Sequence, residues 1–210
     1  MALRQSAGRG RRGRVWDAGQ GNLTATLLLT LDKPPVEAAQ LAFVAALAVG
    51  DLADAYVPAG LVSFKWPNDV LIEGLKAAGI LVESGTAGAG GVWIAIGVGV
   101  NLASHPQAVE WPATDFGRHG TAPAPREALD RLAAAFADRL QLWLSQGFEP
   151  VRQAWSARAA GLGADCVARL PAETLRGRAE GLDADGALLL RLPDGAPRRI
   201  TAGDVFFGVM

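Results

Sequence analysis

Two clusters of residues in this chain have the types and spacing to do chemistry. The first is Gln5-Ser6-Ala7-Gly8-Arg9-Gly10-Arg11-Arg12-Gly13-Arg14-Val15-Trp16. Its glycines let backbone approach a ligand, and its guanidiniums offer forked donors to phosphate or carboxylate oxygens. Such a loop, ordered over a nucleotide, neutralises charge developing at phosphorus. Gly8-x-Gly10-x-x-Gly13 also satisfies the dinucleotide fingerprint, which requires a strand before it and a helix after. Only seven residues precede Gly8 and Asp17 to Gly21 is turn-like, so that reading is rejected. The plain alternative for the run alone is a solvated basic arm that binds polyanions, with Trp16 as packing.

The second cluster is Lys65-Trp66-Pro67-Asn68-Asp69, followed by Lys76-Ala77-Ala78-Gly79-Ile80-Leu81. A strand-end turn displays Asn68 and Asp69, and a lysine follows on the returning strand. A lysine holds a carboxylate beside a phosphate despite their repulsion, and a nearby Asp orients an incoming amine or takes part in its deprotonation. Singly, each residue has a dull reading as a solvated strand residue or turn former. Scarcity favours the chemical one: the chain has three lysines, and two flank this turn.

The elements that must position these residues read as follows. A buried strand spans 22–31, and Pro34-Pro35 opens one helix running through Ala55. Strands follow at Val62 to Trp66, Val70 to Ile72, Ala78 to Glu83 and Val92 to Val100, with a glycine-rich hairpin loop at Gly85 to Gly91. Gly97 and Gly99 within the last strand mark close backbone approach or a bulge. Residues 102–125 read as loop. Arg126 to Gln146 is a helix with Leu129, Leu132, Ala133, Phe136, Leu140 and Trp143 on one stripe, and Phe148 to Ala160 is another. Short strands at Cys166–Leu170, Leu175–Glu180, Ala187–Leu192 and Arg198–Thr201, with dense turns, predict a small β-barrel after an α+β domain.

Composition narrows the function classes. Half of the 210 residues are hydrophobic and a fifth are charged, enough to bury a core. A net charge of −1 argues against a surface that clings throughout to nucleic acid or anionic lipid. One cysteine, Cys166, excludes an intramolecular disulfide, and with only His105 and His119 besides, no Cys/His metal site is expected. Both features fit a reducing cytoplasm. The apolar stretch near Ala38 to Gly50 is short for a membrane span. Five arginines in the first sixteen residues suit a transit peptide in charge, but the interspersed glycines do not suit a targeting helix.

Taken together, Gln-x-x-Gly-Arg-Gly-Arg-x-Gly-Arg-x-Trp and Lys-Trp-Pro-Asn-Asp, with the Lys-x-x-Gly-Ile-Leu-Val-Glu strand behind, resemble the signature of biotin–protein ligases. The strand Gly97-Val98-Gly99-Val100-Asn101 and the β-rich tail extend the likeness over nearly the whole chain. The resemblance implies an α+β, mixed-sheet catalytic domain similar to class II aminoacyl-tRNA synthetases over residues 1–162, and an SH3-like β domain over 163–210. It implies ATP with Mg²⁺, biotin as substrate, a biotinyl-adenylate intermediate and a biotin carboxyl carrier protein as acceptor; a homodimer stays open. By the same resemblance, Gln5, Gly8, Lys76 and Gly79 would hold biotin. Arg9, Arg11, Arg14, Trp16, Lys65, Asn68 and Asn101 would hold ATP or the adenylate, with Trp16 against the adenine. Arg9, Arg11, Lys76 and Asp69 would be catalytic, Asp69 facing the acceptor lysine, and the magnesium would rest on phosphates and waters.

The family's opening segment, with its Ser-Thr-Asn stretch, and the winged-helix domain of some relatives have no counterpart in this sequence. An exposed sheet edge, lower stability than an upstream-extended chain and no operator binding are therefore expected. A lipoate or octanoate ligase, an impaired fragment or adenylate- and carrier-binding module, and the basic arm remain alternatives.

Overall fold

The most apolar segment of the chain forms the centre of the molecule. In the computed structural model, which describes residues 1–2, 5–87, 91–107 and 111–208, it forms α1 (Pro35–Ala38) and α2 (Leu41–Asp54). The single helix expected here is split at Ala39 and Gln40. The Gln40, Ala42 and Phe43 amides bond three residues back, to Glu37, Ala39 and Gln40, which tightens the turn. Gln40 is buried and its Oε1 accepts from Trp143 Nε1 at 2.8 Å, tying the break to the next long helix. Val36–Asp54 is long and apolar enough to cross a membrane, but 72% of its apolar window is buried inside this fold.

Against these helices lies a five-stranded sheet of β1 (Leu23–Leu31), β2 (Val62–Lys65), β3 (Asp69–Ile72), β4 (Leu75–Thr86) and β5 (Val92–Val100), in the order β1-β5-β4-β3-β2. Its ladders are all antiparallel. The parallel component of the expected mixed sheet is confined to isolated bridges, Phe64 to Ala159 and Lys76 to Ala113. Alternation in β5 sends Ile94, Ile96, Val98 and Val100 into the core and leaves Gly97 and Gly99 on the other face. The glycine-rich stretch is strand up to Thr86, and its residues 88–90 lie outside the described residues.

Two further helices, α3 (Pro125–Gln146) and α4 (Glu149–Ser156), complete the layer. On α3, Leu132, Phe136 and Trp143 are buried as expected. Ala133 instead faces solvent and Ala128 takes the inner position. The stretch read as loop over 102–125 contains a 3₁₀ turn, Phe116–Arg118, whose first residues are capped by Asp115 Oδ1 accepting from the Arg118 amide. At the sheet edge, the Ala2 amide donates to the Thr24 carbonyl at 3.0 Å; beyond that no described residue pairs with the outer side of β1, and Leu28 is 71% exposed.

The second sheet holds β6 (Asp165–Arg169), β7 (Thr174–Leu182), β8 (Leu188–Arg191), β9 (Pro197–Ile200) and β10 (Asp204–Phe207), ordered β10-β6-β7-β8-β9. The first four coincide closely with the strands expected from sequence. The fifth, β10, has no expected counterpart; its four residues show too short an alternation to stand out. This sheet is not a separate appendage. The Trp66 indole N–H donates to the Gly186 carbonyl in the β7–β8 turn at 3.0 Å, and a Cβ on Gly186 would lie 2.7 Å from the Phe43 ring.

Candidate active site

The site begins with a register shift. Asp69 pairs with Gly79 and Val70 with Ala78, but Leu71 pairs with Lys76, so Ala77 is an extra residue on β4. In an unbroken strand, side chains three apart point to opposite faces. The bulge restores Lys76 to the face of Gly79, whose added Cβ would stand 3.4 Å from the lysine Nζ. That is the physical content of the Lys-x-x-Gly spacing. Lys65 and Asp69 are cross-strand partners in the β2–β3 hairpin, whose turn contains a cis Trp66–Pro67 peptide.

The two lysines therefore meet one carboxylate. Lys65 Nζ donates to Asp69 Oδ2 at 3.2 Å, and Lys76 Nζ lies 2.6 Å from Oδ1. Burial opposes the charge on Asp69, but Lys76 and Lys65 outweigh it and hold its carboxyl below the usual range. Asp69 is consequently a weak base. The deprotonating role weighed for it is not what this geometry favours; it anchors two ammonium groups at the cavity wall. Asn68 Nδ2 donates to the Ile80 carbonyl at 2.6 Å, which leaves its Oδ1 to accept from Arg11 Nη1 at 3.2 Å.

The arginine–glycine run is a hairpin. Arg9 bridges Val15, the Gly10 amide donates to the Arg14 carbonyl at 2.7 Å, and the Trp16 amide donates to the Gly8 carbonyl at 2.9 Å. Its tip is a 3₁₀ turn, Arg11–Gly13, with Arg12 at φ 57° and Gly13 at φ 75°. Gly8 does not line the cavity, contrary to expectation: a Cβ there would collide with the Trp16 carbonyl oxygen, so the glycine serves the hairpin's own backbone contact. Arg9 lies over Glu83 at 3.4 Å, while Arg11 turns inward, where burial lowers its pKa against the favourable field of Asp204 and Asp69.

Trp16 lies flat on glycines. A Cβ on Gly99 would run into its ring, one on Gly79 would stand 3.0 Å away, and Lys76 Nζ is 5.7 Å from the ring centroid. The indole is thus seated on the sheet glycines beside Lys76 and lines the cavity. Asn101 is buried; its Nδ2 donates to the Thr114 carbonyl at 3.0 Å and its Oδ1 has no protein partner.

Gln5, Arg9, Arg11, Arg14, Trp16, Lys65, Asn68, Asp69, Lys76, Gly79 and Asn101 all line one cavity of about 450 Å³. Sequence reasoning missed three other walls. Trp111 carries Lys65 Nζ 4.6 Å from its ring centroid, and its buried indole N–H lacks a partner. Asp204 and Phe206 arrive from the second sheet. Trp111 sits in a stretch without periodicity and Asp204 in an unrecognised strand, so neither had a local signal. Among the described residues no group of three or more His, Cys, Asp or Glu is placed to hold a metal. The cavity is one that takes an anionic ligand with an apolar portion.

Comparison with known proteins agrees. A family model described as the biotin/lipoate A/B protein ligase family matches residues 1–101, and one described as the biotin protein ligase C-terminal domain matches 161–208. The chain is 50% identical to the biotin–[acetyl-CoA-carboxylase] ligase of Paracoccus denitrificans over 99% of its own length and 89% of that protein. It is 33% identical to the bifunctional ligase/repressor BirA of Bacillus subtilis, spanning 65% of that protein. The fold matches the Aquifex aeolicus biotin protein ligase solved with biotin and ATP at a TM-score of 0.76 and 23% identity, covering 97% of this chain and 85% of that one. With both motifs gathered in one cavity and this kinship over its full length, the chain belongs to the biotin/lipoate protein ligase family, among the biotin–protein ligases.

Proposed function

We propose that this chain activates biotin with ATP and transfers it to a lysine of a biotin carboxyl carrier protein. The observation that carries this is the convergence of the arginine hairpin and the Lys65–Asp69–Lys76 group on one cavity of about 450 Å³. The biotin carboxylate attacks the α-phosphorus of ATP, the bond to pyrophosphate breaks, and biotinyl-adenylate results. The acceptor amine then attacks the acyl carbon and AMP departs.

The residues act by position and charge. Lys76, on the face of Gly79 and beside Trp16, takes the biotin carboxylate; the Trp16 indole and Gln5 wall the head-group end. Lys65, Asn68 and Arg11 face the phosphates, and field stabilisation from such preset cations is a large term in reactions of this type. Asn101 Oδ1, buried without a partner, is an acceptor for a nucleotide amino group. Mg²⁺ would be held by the nucleotide's phosphates and waters; of the carboxylates that line the cavity, Asp69, Glu83 and Asp204 are already paired with lysine or arginine. We divide the chain into a biotin and ATP unit, 1–162, and an SH3-like unit, 163–210, and place the reaction in the cytoplasm.

The test is ATP–pyrophosphate exchange by the purified chain with biotin, with octanoate, and with neither. Exchange that requires biotin supports the reading. Exchange with octanoate alone moves the chain to the lipoate branch, and none with either leaves a binding module.

A further inference from the structure

Four arginines lie within six positions of the hairpin, and their surroundings differ. Arg9 has Glu83. Arg12 Nη1 lies 3.1 Å from Asp204 Oδ2, and Arg14 Nη2 lies 2.5 Å from Asp204 Oδ1. Arg11 has no carboxylate ion pair among the described residues; its Nη1 donates to the Asn68 Oδ1 and, at 3.4 Å, to the Gly203 carbonyl. Arg12 and Arg14 are 38% and 53% exposed, whereas Arg11 is half-buried against the cavity. Asp204 itself is the first residue of β10, fixed in the second sheet by its pairing with Arg169.

The geometry points to Asp204 as a positioning residue: a latch in the second sheet that takes Arg12 and Arg14, seats the hairpin, and so delivers Arg11 to the nucleotide phosphates without a carboxylate of its own. This rests on the reading of the cavity as the ATP site. Three guanidiniums crowded at one turn repel each other, and a single anchored carboxylate between two of them removes most of that repulsion. An exposed ion pair alone contributes little, but here two converge on a carboxylate that a sheet already holds still, and geometry and networking are what make such pairs count. The arginine run thus divides into two residues that hold and one that works. Arg14, expected at the nucleotide, belongs to the first group.

The opposite arrangement is that Asp204 merely occupies the place of a phosphate and must be displaced by ATP. The two differ in sign. We expect Asp204→Asn to raise KM for ATP in the exchange assay about fivefold, the scale of a small ion-pair network, with kcat and KM for biotin changed less than about twofold. Asp204→Glu restores part of the loss, and Arg12→Gln added to Asp204→Asn costs nothing more. Independently of activity, limited trypsin digestion of the ligand-free full chain, with cleavage mapped by mass spectrometry, should cut the hairpin arginines about fivefold faster in Asp204→Asn at an unchanged Tm. A lowered KM for ATP would overturn the latch, as would unchanged KM and unchanged cleavage. If the wild-type chain shows no exchange, the nucleotide reading fails, while faster hairpin cleavage still upholds the Asp204 contact.

Discussion

Lys76 and Asp69 stand 2.6 Å apart, Nζ to Oδ1, only because one extra residue, Ala77, is let into β4 beside the Val70–Leu71 step. Without that bulge Lys76 would point to the helix face and Asp69 would hold one lysine. The two partners are therefore not equivalent. Removing Lys76 leaves Asp69 with Lys65, whereas removing the carboxylate leaves two ammonium groups facing each other at a largely buried site. Lys76→Ala should lower biotin-dependent exchange about a hundredfold, with a Tm loss of no more than a few degrees. Asp69→Asn should destabilise by about 3 kcal/mol, since it strands buried charge. Denaturant unfolding of both variants tests this; equal stability losses would show that the two lysines do not share Asp69.

The depressed acidity of Asp69 bears on the transfer step. Lys76 and Lys65 keep it ionised far below neutrality, so it has little affinity for a proton taken from the acceptor amine. The amine must then arrive neutral from solution, and an unperturbed lysine titrates at about 10.4. Transfer from preformed adenylate to the carrier, followed in single turnovers, should accelerate about tenfold per pH unit between roughly pH 6.5 and 8.5. A plateau with an apparent pKa near neutrality would instead assign the proton to a group on the enzyme.

What is legible in the sequence follows from short-range rules. The strand Val92–Val100 is readable to the residue, because alternation and bounding glycines mark it. Of the residues assigned to the site, all but Gly8 line the cavity. The bulge at Ala77 is invisible, since register shifts depend on what the neighbouring strand does. The helix break at Gln40 is hidden too, because its partner Trp143 lies over a hundred residues away. Asp204 and Trp111 escape for the same reason: their roles are made by contacts across the chain, to Arg12, Arg14 and Lys65.

Gly99 reads in the sequence as a place of close approach, and the approaching group is the Trp16 ring, which stands where a Cβ would have to go. The contact involves ring atoms in a site walled by the sheet, so an alanine there expels the indole. Gly99→Ala should raise KM for biotin about tenfold or more, while Gly97→Ala, whose Cβ would have 3.6 Å of clearance, should be close to neutral. Trp16→Ala in the Gly99→Ala background should cost no more than Trp16→Ala alone. Additive losses in that double variant would show that Gly99 acts through something other than Trp16.

The second sheet also supports the Lys-Trp-Pro-Asn-Asp turn, and there the decisive residue is Asp183. Its Oδ1 accepts the amides of Ala187 at 2.9 Å and Asp185 at 3.1 Å, and Oδ2 pairs with Arg199, which also reaches Asp185. These bonds shape the turn whose Gly186, at φ 93°, offers its carbonyl to the Trp66 indole. Burial works against the Asp183 charge, but the bonds from Asp185, Arg199 and Ala187 outweigh it and bring the carboxyl from 3.8 down to about 2. A depressed folded-state pKa gives stability that is present above the unfolded value and lost as pH falls through the folded one. Asp183→Ala should therefore cost about 1 kcal/mol near neutrality, solvent screening keeping it at the low end. The deficit should hold down to about pH 4 and shrink by roughly half near pH 3, as the wild-type carboxylate protonates in the unfolded chain first. Denaturant unfolding of both proteins at about pH 7, 5 and 3 measures this directly, and a deficit that grew on acidification would mean that Asp183 is held protonated in the fold.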